Sequence, residues 1–146
     1  MPGLLHFALM IASLAIGAAI FLMSKGTPRH KVLGRVFIVG MLVSNMVVLT
    51  IYRDSGQPSI FHVLAIVSIV SLAAAIALVR LPGTGIGRRI AHGHVMIWSY
   101  GGVVAAGLGQ GASSLSYSPW PPILVCFLLV TFLAYRTDFI GMLNGR

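Results

Sequence analysis

Apolar blocks about twenty residues long recur along this chain, and the short connections between them carry nearly all of its charge. A helix rises about 1.5 Å per residue, so roughly 20 residues cross a hydrocarbon layer about 30 Å thick. Inside lipid, backbone N–H and C=O groups find no water and must bond one another, which restricts spanning segments to helices and closed barrels. Barrel strands alternate apolar and polar side chains, and these blocks do not. The chain is therefore read as all-α, a polytopic membrane helix bundle of five transmembrane helices with a four-helix core, making one integral membrane domain over residues 1–146. Composition agrees: 58% of the residues are hydrophobic and 8% charged, where a soluble domain carries about 25% charged residues.

The first predicted span covers 4–23. Lys25-Gly26-Thr27-Pro28 breaks it, with Thr27 placed as N-cap and Pro28 as the opening residue of the next helix, whose span is 29–52. The polar turn Arg53-Asp54-Ser55-Gly56-Gln57-Pro58-Ser59 follows, with Ser59 as cap for the span 60–79. Arg80-Leu81-Pro82-Gly83-Thr84-Gly85 opens the next connection, and Arg88-Arg89 precede the span 90–108. The uncharged Gly- and Ser-rich stretch from Gly109 to Trp120 reads as a connection, and Pro121-Pro122 start the span 122–140. That last block is short in apolar residues, and Arg136 and Asp138 belong at its interfacial end. The opening residues lack the basic region of a signal peptide, so the first span is read as retained. Cys126 stands alone, which leaves no disulfide framework and no cysteine metal cluster.

Ten Lys/Arg against two acidic residues give a formal charge of +8. In a soluble protein that excess would suggest nucleic acid. Here the cations sit in short connections, where they set topology. With five crossings, Lys25, Arg29, Lys31, Arg35, Arg80, Arg88, Arg89, Arg136 and Arg146 share one side, and only Arg53 lies on the other. The expected orientation puts the N-terminus outside and the C-terminus in the cytoplasm.

His6, His30, His62, His92 and His94 each fall in the first few residues of a predicted span. In an up-down bundle alternate helices face one another across the diagonal, so His6 with His62 form an outer pair and His30 with His92 an inner one. A weak internal repeat runs the same way: His6 to Gly26-Thr27 is echoed by His62 to Gly83-Thr84, over 20 and 21 residues, before His30 and His92. The expected inward stripes are His6, Met10, Ser13 and Gly17; His30, Gly34, Met41, Ser44 and Asn45; His62, Ile66, Ala73 and Ala77; and His92, Met96, Ser99, Ala106 and Gln110. His94 points away from His92 on a regular helix and serves as the alternative ligand or a supporting group.

Paired imidazoles on facing helices suit haem, whose iron takes two axial histidines in a low-spin centre built for electron transfer. One or two haem B groups per chain are expected, with Arg29, Arg35, Arg88 or Arg89 neutralising propionates on the cytoplasmic side. The same five histidines are the candidate ligands of a transition metal in the alternative reading, a metal or small-molecule binding or transport protein. The third reading is a structural membrane protein without chemistry, in which interfacial histidines bond headgroups, water or a neighbouring helix. No phosphate loop, zincin motif or serine nucleophile elbow is present.

Lys25-Gly26-Thr27 with His30 and Gly34, and His92 through Met96 to Ser99-Tyr100, resemble the DUF2306 family of uncharacterised bacterial membrane proteins over most of the first four spans. His6 and His62 match outer histidines of that family. The resemblance implies a polytopic helical fold in a bacterial cytoplasmic (inner) membrane and carries no activity. A looser similarity to two-haem b-type membrane cytochromes rests on where the histidines stand. The function expected is a small b-type haem-binding membrane protein in transmembrane electron transfer, either a carrier or a reductase. Its partners are the lipid bilayer and a quinone or redox protein, with no nucleic acid; small residues serve an oligomer as readily as a monomer.

Overall fold

The computed structural model describes residues 2–51, 57–82 and 85–143. Among them the regular elements are all helices: α1 (Pro2–Leu22), α2 (Pro28–Val48), α3 (Ile60–Arg80), α4 (Ile86–Ser114), α5 (Trp120–Arg136) and α6 (Phe139–Leu143). The protein is an all-α membrane helix bundle. α1, α2 and α3 have 21 residues each, about 31 Å of helix, and are long and apolar enough to cross a membrane. α5 is a shorter apolar helix of 17 residues. Contacts divide the chain into two units, Met1–Val70 with Phe139–Arg146 and Ser71–Asp138, the division falling within α3.

In the first unit α1 and α2 form a hairpin. Its turn is built as the sequence requires. Thr27 Oγ1 accepts from the His30 N–H at 3.1 Å, and Pro28 occupies the first turn, where no N–H is needed. Gly26 has φ +78°, a left-handed conformation that costs other residues a Cβ clash. Lys25 closes the other end: its Nζ donates to the carbonyls of Ile20 and Phe21, two of the acceptors that α1 leaves open, at 2.8 and 2.9 Å, and to that of Met23 just beyond the helix at 3.1 Å. Desolvation in that position holds the Lys25 ammonium pKa below its ordinary value. The hairpin packs through Ser13, Gly17 and Ile20 of α1 and Phe37, Met41 and Ser44 of α2, all buried. A Cβ on Gly40 would lie 3.2 Å from Ser13 Oγ, so the helices approach closely there.

In the second unit α5 packs along α4. Gly101, Ala105 and Gly109 recur every fourth residue, make one stripe, and are all buried. Val130 covers Gly101 and Ile123 covers Gly109. Cys126 lies between them and donates its thiol to the Gly101 carbonyl at 3.5 Å. Ala105, Ile123, Cys126 and Val130 form the core, flanked by Ile97, Val104 and Phe127. Small residues that let backbones approach are the usual basis of helix association in lipid, where burial of apolar surface gives no driving force between helices.

Several helix ends depart from the sequence reading. α2 ends at Val48, where Leu49, Thr50 and Ile51 form a turn through bonds to Asn45, Val47 and Val48 carbonyls. α4 starts at Ile86 and continues to Ser114, so most of the expected 109–120 connection is helix. Glycine weakens an exposed helix, but Gly109 lies beneath Ile123, whose side chain a Cβ would push aside, and packing offsets its conformational cost. The last block breaks at Thr137, whose extended backbone (ψ 116°) ends α5, while its N–H and hydroxyl both bond the Leu133 carbonyl. Residues 139–143 then form a separate short helix. Tyr52, Arg53, Asp54, the Gly83-Thr84 pair of the internal repeat, and Arg146 lie outside the described residues.

Candidate functional site

The five histidines differ in how their rings are wired. His92, half-buried on α4, places Nδ1 2.9 Å from the carbonyl oxygen of Ala75 on α3. A carbonyl only accepts, so Nδ1 carries the proton, and in the neutral ring Nε2 holds the lone pair. Ala75 is fully buried and lies in the same unit as His92, which fixes the ring from a rigid helix.

His6, half-buried on α1, approaches Ser44 of α2. Its Nδ1 lies 2.8 Å from Ser44 Oγ and 3.3 Å from Ser44 O. With Nδ1 protonated the ring serves both oxygens and leaves the lone pair on Nε2; with Nδ1 bare it accepts from the Ser44 hydroxyl. Ser44 is fully buried, and beside it the Asn45 amide donates to Ser68 Oγ of α3 at 2.8 Å. Ser13, Ser44, Asn45 and Ser68 thus supply hydroxyl and amide groups within the first unit.

His62 is wired in the opposite sense. The Ser59 N–H donates to His62 Nδ1 at 3.0 Å, with Ser59 Oγ also 3.0 Å from the same nitrogen. An N–H can only donate, so Nδ1 is the acceptor and the neutral ring carries its proton on Nε2. This is the reciprocal half of a capping box, with histidine at the third helical position replacing the usual Glu or Gln. Ser59 was expected to cap α3, and the His62 ring in turn caps the Ser59 backbone N–H. His30 is half-buried, its backbone N–H held by Thr27, and His94 is half-buried on α4.

Of the arginines expected near propionates, Arg29, Arg35 and Arg89 are exposed. Arg88 donates from Nη1 to the carbonyls of Leu81 and Pro82 at 3.2 and 2.7 Å, closing the connection that follows α3. Among the described residues no three His, Cys, Asp or Glu side chains gather where they could hold a metal ion.

The expected stripes hold on α1 and α2. On α3 the buried line is His62, Ala65, Leu72 and Ala75, while Ile66 is 54% exposed and Ala73 is exposed. Apolar residues surround α3 on all sides, so periodicity could not choose between the third and fourth neighbours of His62. On α4 Ser99 is buried, and His92, Met96, Ala106 and Gln110 are half-buried; the deeper line is Gly101, Ala105 and Gly109 against α5. Trp98 stacks on Phe127 of α5 at 6.1 Å. Sequence reasoning missed the Ala75 carbonyl, since a backbone acceptor leaves no mark in residue type. It also missed the His62 cap, although the four-residue spacing Ser59-Ile60-Phe61-His62 has the capping-box form.

Comparison with curated proteins and with solved structures finds no match. A family model described as "Predicted membrane protein (DUF2306)" matches residues 3–136. That match runs from the first turn of α1 to the last residue of α5, taking in all five histidines and both helix pairs, and the chain belongs to the DUF2306 family of predicted membrane proteins.

Proposed function

We propose that this protein is a small b-type haem-binding membrane protein of a bacterial cytoplasmic membrane, crossing five times with its N-terminus outside and passing electrons to or from a quinone or redox protein. The observation that carries the reading is the His92 ring, with Nδ1–H given to the Ala75 carbonyl and Nε2 left with its lone pair. Histidines that bind metal through one ring nitrogen almost always donate the other N–H to a carbonyl or carboxylate, which fixes tautomer and orientation. His6 meets the same requirement in the tautomer that gives its Nδ1–H to Ser44.

The ligand count favours haem over a bare ion. A metal held by side chains alone takes about three or four of them, and the described residues gather no such group. Haem supplies four nitrogens of its own and asks the protein for one or two imidazoles. When bound, it supplies a one-electron couple. The chain's own part is to present Nε2 of His6 and His92 in fixed orientation.

His62 fits the ligand role less well than the sequence suggested. Ligation through Nε2 would move its proton to Nδ1 and release the Ser59 N–H, uncapping α3. The test is an absorbance spectrum of purified protein from haem-replete cells, compared across single histidine-to-alanine variants. His92→Ala and His6→Ala should each remove one low-spin component and leave the other. His30→Ala, His62→Ala and His94→Ala would show which further histidines hold the group. Unchanged spectra in both His6→Ala and His92→Ala would overturn the assignment.

A further inference from the structure

The first two turns of α2 carry Arg29, Lys31 and Arg35, all exposed. The inward line of this helix is Phe37, Met41, Ser44 and Asn45, with His30 and Gly34 half-buried above it. At 100° per residue, Arg29 and Arg35 lie on either side of the column Val32, Val36, Val39 and Val43, and Lys31 lies one turn from Arg35 on its far side. From the level of Lys31 inward, Val32, Val36, Val39 and Val43 form a continuous exposed column. None of the described residues of this unit is acidic.

We propose that this face binds an anionic phospholipid, its headgroup phosphate held between Arg29 and Arg35 with Lys31 beside Arg35, and an acyl chain lying along Val32, Val36, Val39 and Val43. The dimensions agree. From Val32 to Val43 is eleven residues, about 17 Å of helix, close to one leaflet of a hydrocarbon core about 30 Å thick. Long basic side chains reach up to the headgroup level from positions within the first turns, their methylene stems covering apolar surface. A patch of several cations beside a membrane span attracts anionic lipid far more than zwitterionic lipid. This site is independent of the haem reading, and it gives Arg29 and Arg35 a lipid phosphate as partner in place of the propionates expected from sequence.

The test is native mass spectrometry of the purified full chain with phosphatidylglycerol and phosphatidylcholine of identical acyl chains. The wild type should retain phosphatidylglycerol preferentially, and each of Arg29→Gln, Lys31→Gln and Arg35→Gln should cut that preference by about fivefold. Arg29→Lys and Arg35→Lys should keep most of it. Circular dichroism of every variant checks that helix content is unchanged, and Val36→Ser should weaken retention of both lipids without altering the preference between them. Equal retention of the two lipids by wild type would overturn the proposal. So would an equal loss on replacing Arg80 and Arg89 by glutamine, since that would assign the preference to overall charge.

Discussion

Gly101 and Gly102 are neighbours on α4 whose substitution by alanine should change stability in opposite directions. A Cβ on Gly101 would overlap Val130 Cγ2 and lie 3.0 and 3.2 Å from Val130 Cγ1 and Cβ. A Cβ on Gly102 would meet no atom within 4 Å. Val130 cannot turn aside easily, because a β-branched side chain in a helix has one strongly preferred rotamer. Relief therefore comes from moving α5 away, which also stretches the Cys126 thiol bond to the Gly101 carbonyl and loosens Ile123 over Gly109. Overpacking of this kind costs about 1–3 kcal/mol. Both substitutions gain helix propensity of about 1 kcal/mol, so the difference between the two variants cancels that gain and leaves the steric cost alone. The assay is reversible unfolding in mixed micelles, followed by circular dichroism across a denaturant series. Gly102→Ala should be more stable than wild type, and Gly101→Ala should fall about 1–3 kcal/mol below Gly102→Ala. Equal stability of the two variants would refute the packing of α5 on this face of α4.

Three further outcomes follow from the helix ends. Thr27→Ala should cost about 1 kcal/mol, read in the same unfolding assay, by leaving the His30 N–H without its cap. Lys25→Met should cost about 1 kcal/mol through loss of three donated bonds at the end of α1, and Lys25→Arg should recover part of it. His62→Ala should speed amide exchange at Ser59, whereas His62→Gln, which can reach the same N–H, should keep most of the protection.

What was legible in the sequence was whatever a residue type announces by itself. Apolar length gave the helices, and Thr27-Pro28 gave the cap that opens α2. The stripe from His6 to Gly17 gave the face on which α1 packs, because both polar side chains of α1, His6 and Ser13, lie on it. The run from Gly109 to Ser114 misled, since glycine and serine read as a connection until the packing of Ile123 on Gly109 is known. The break at Thr137 was hidden because its neighbours Tyr135 and Arg136 continue a helix as well as any others. Among the histidines, position was legible and wiring was not. His62 and His92 stand alike near the starts of their helices, yet one accepts a backbone N–H and the other gives its proton to a backbone carbonyl. Both partners are main-chain groups, and main-chain partners are set by packing rather than by side-chain identity.

The central claim is that His6 and His92 present Nε2 to haem iron, and the most direct measurement is a reduced-minus-oxidised spectrum of the wild-type protein together with its haem-to-protein ratio. The account predicts a low-spin b-type spectrum with one or two haems per chain, lost component by component in His92→Ala and His6→Ala. A folded protein that stays colourless after expression with ample haem and takes up none on reconstitution would contradict it.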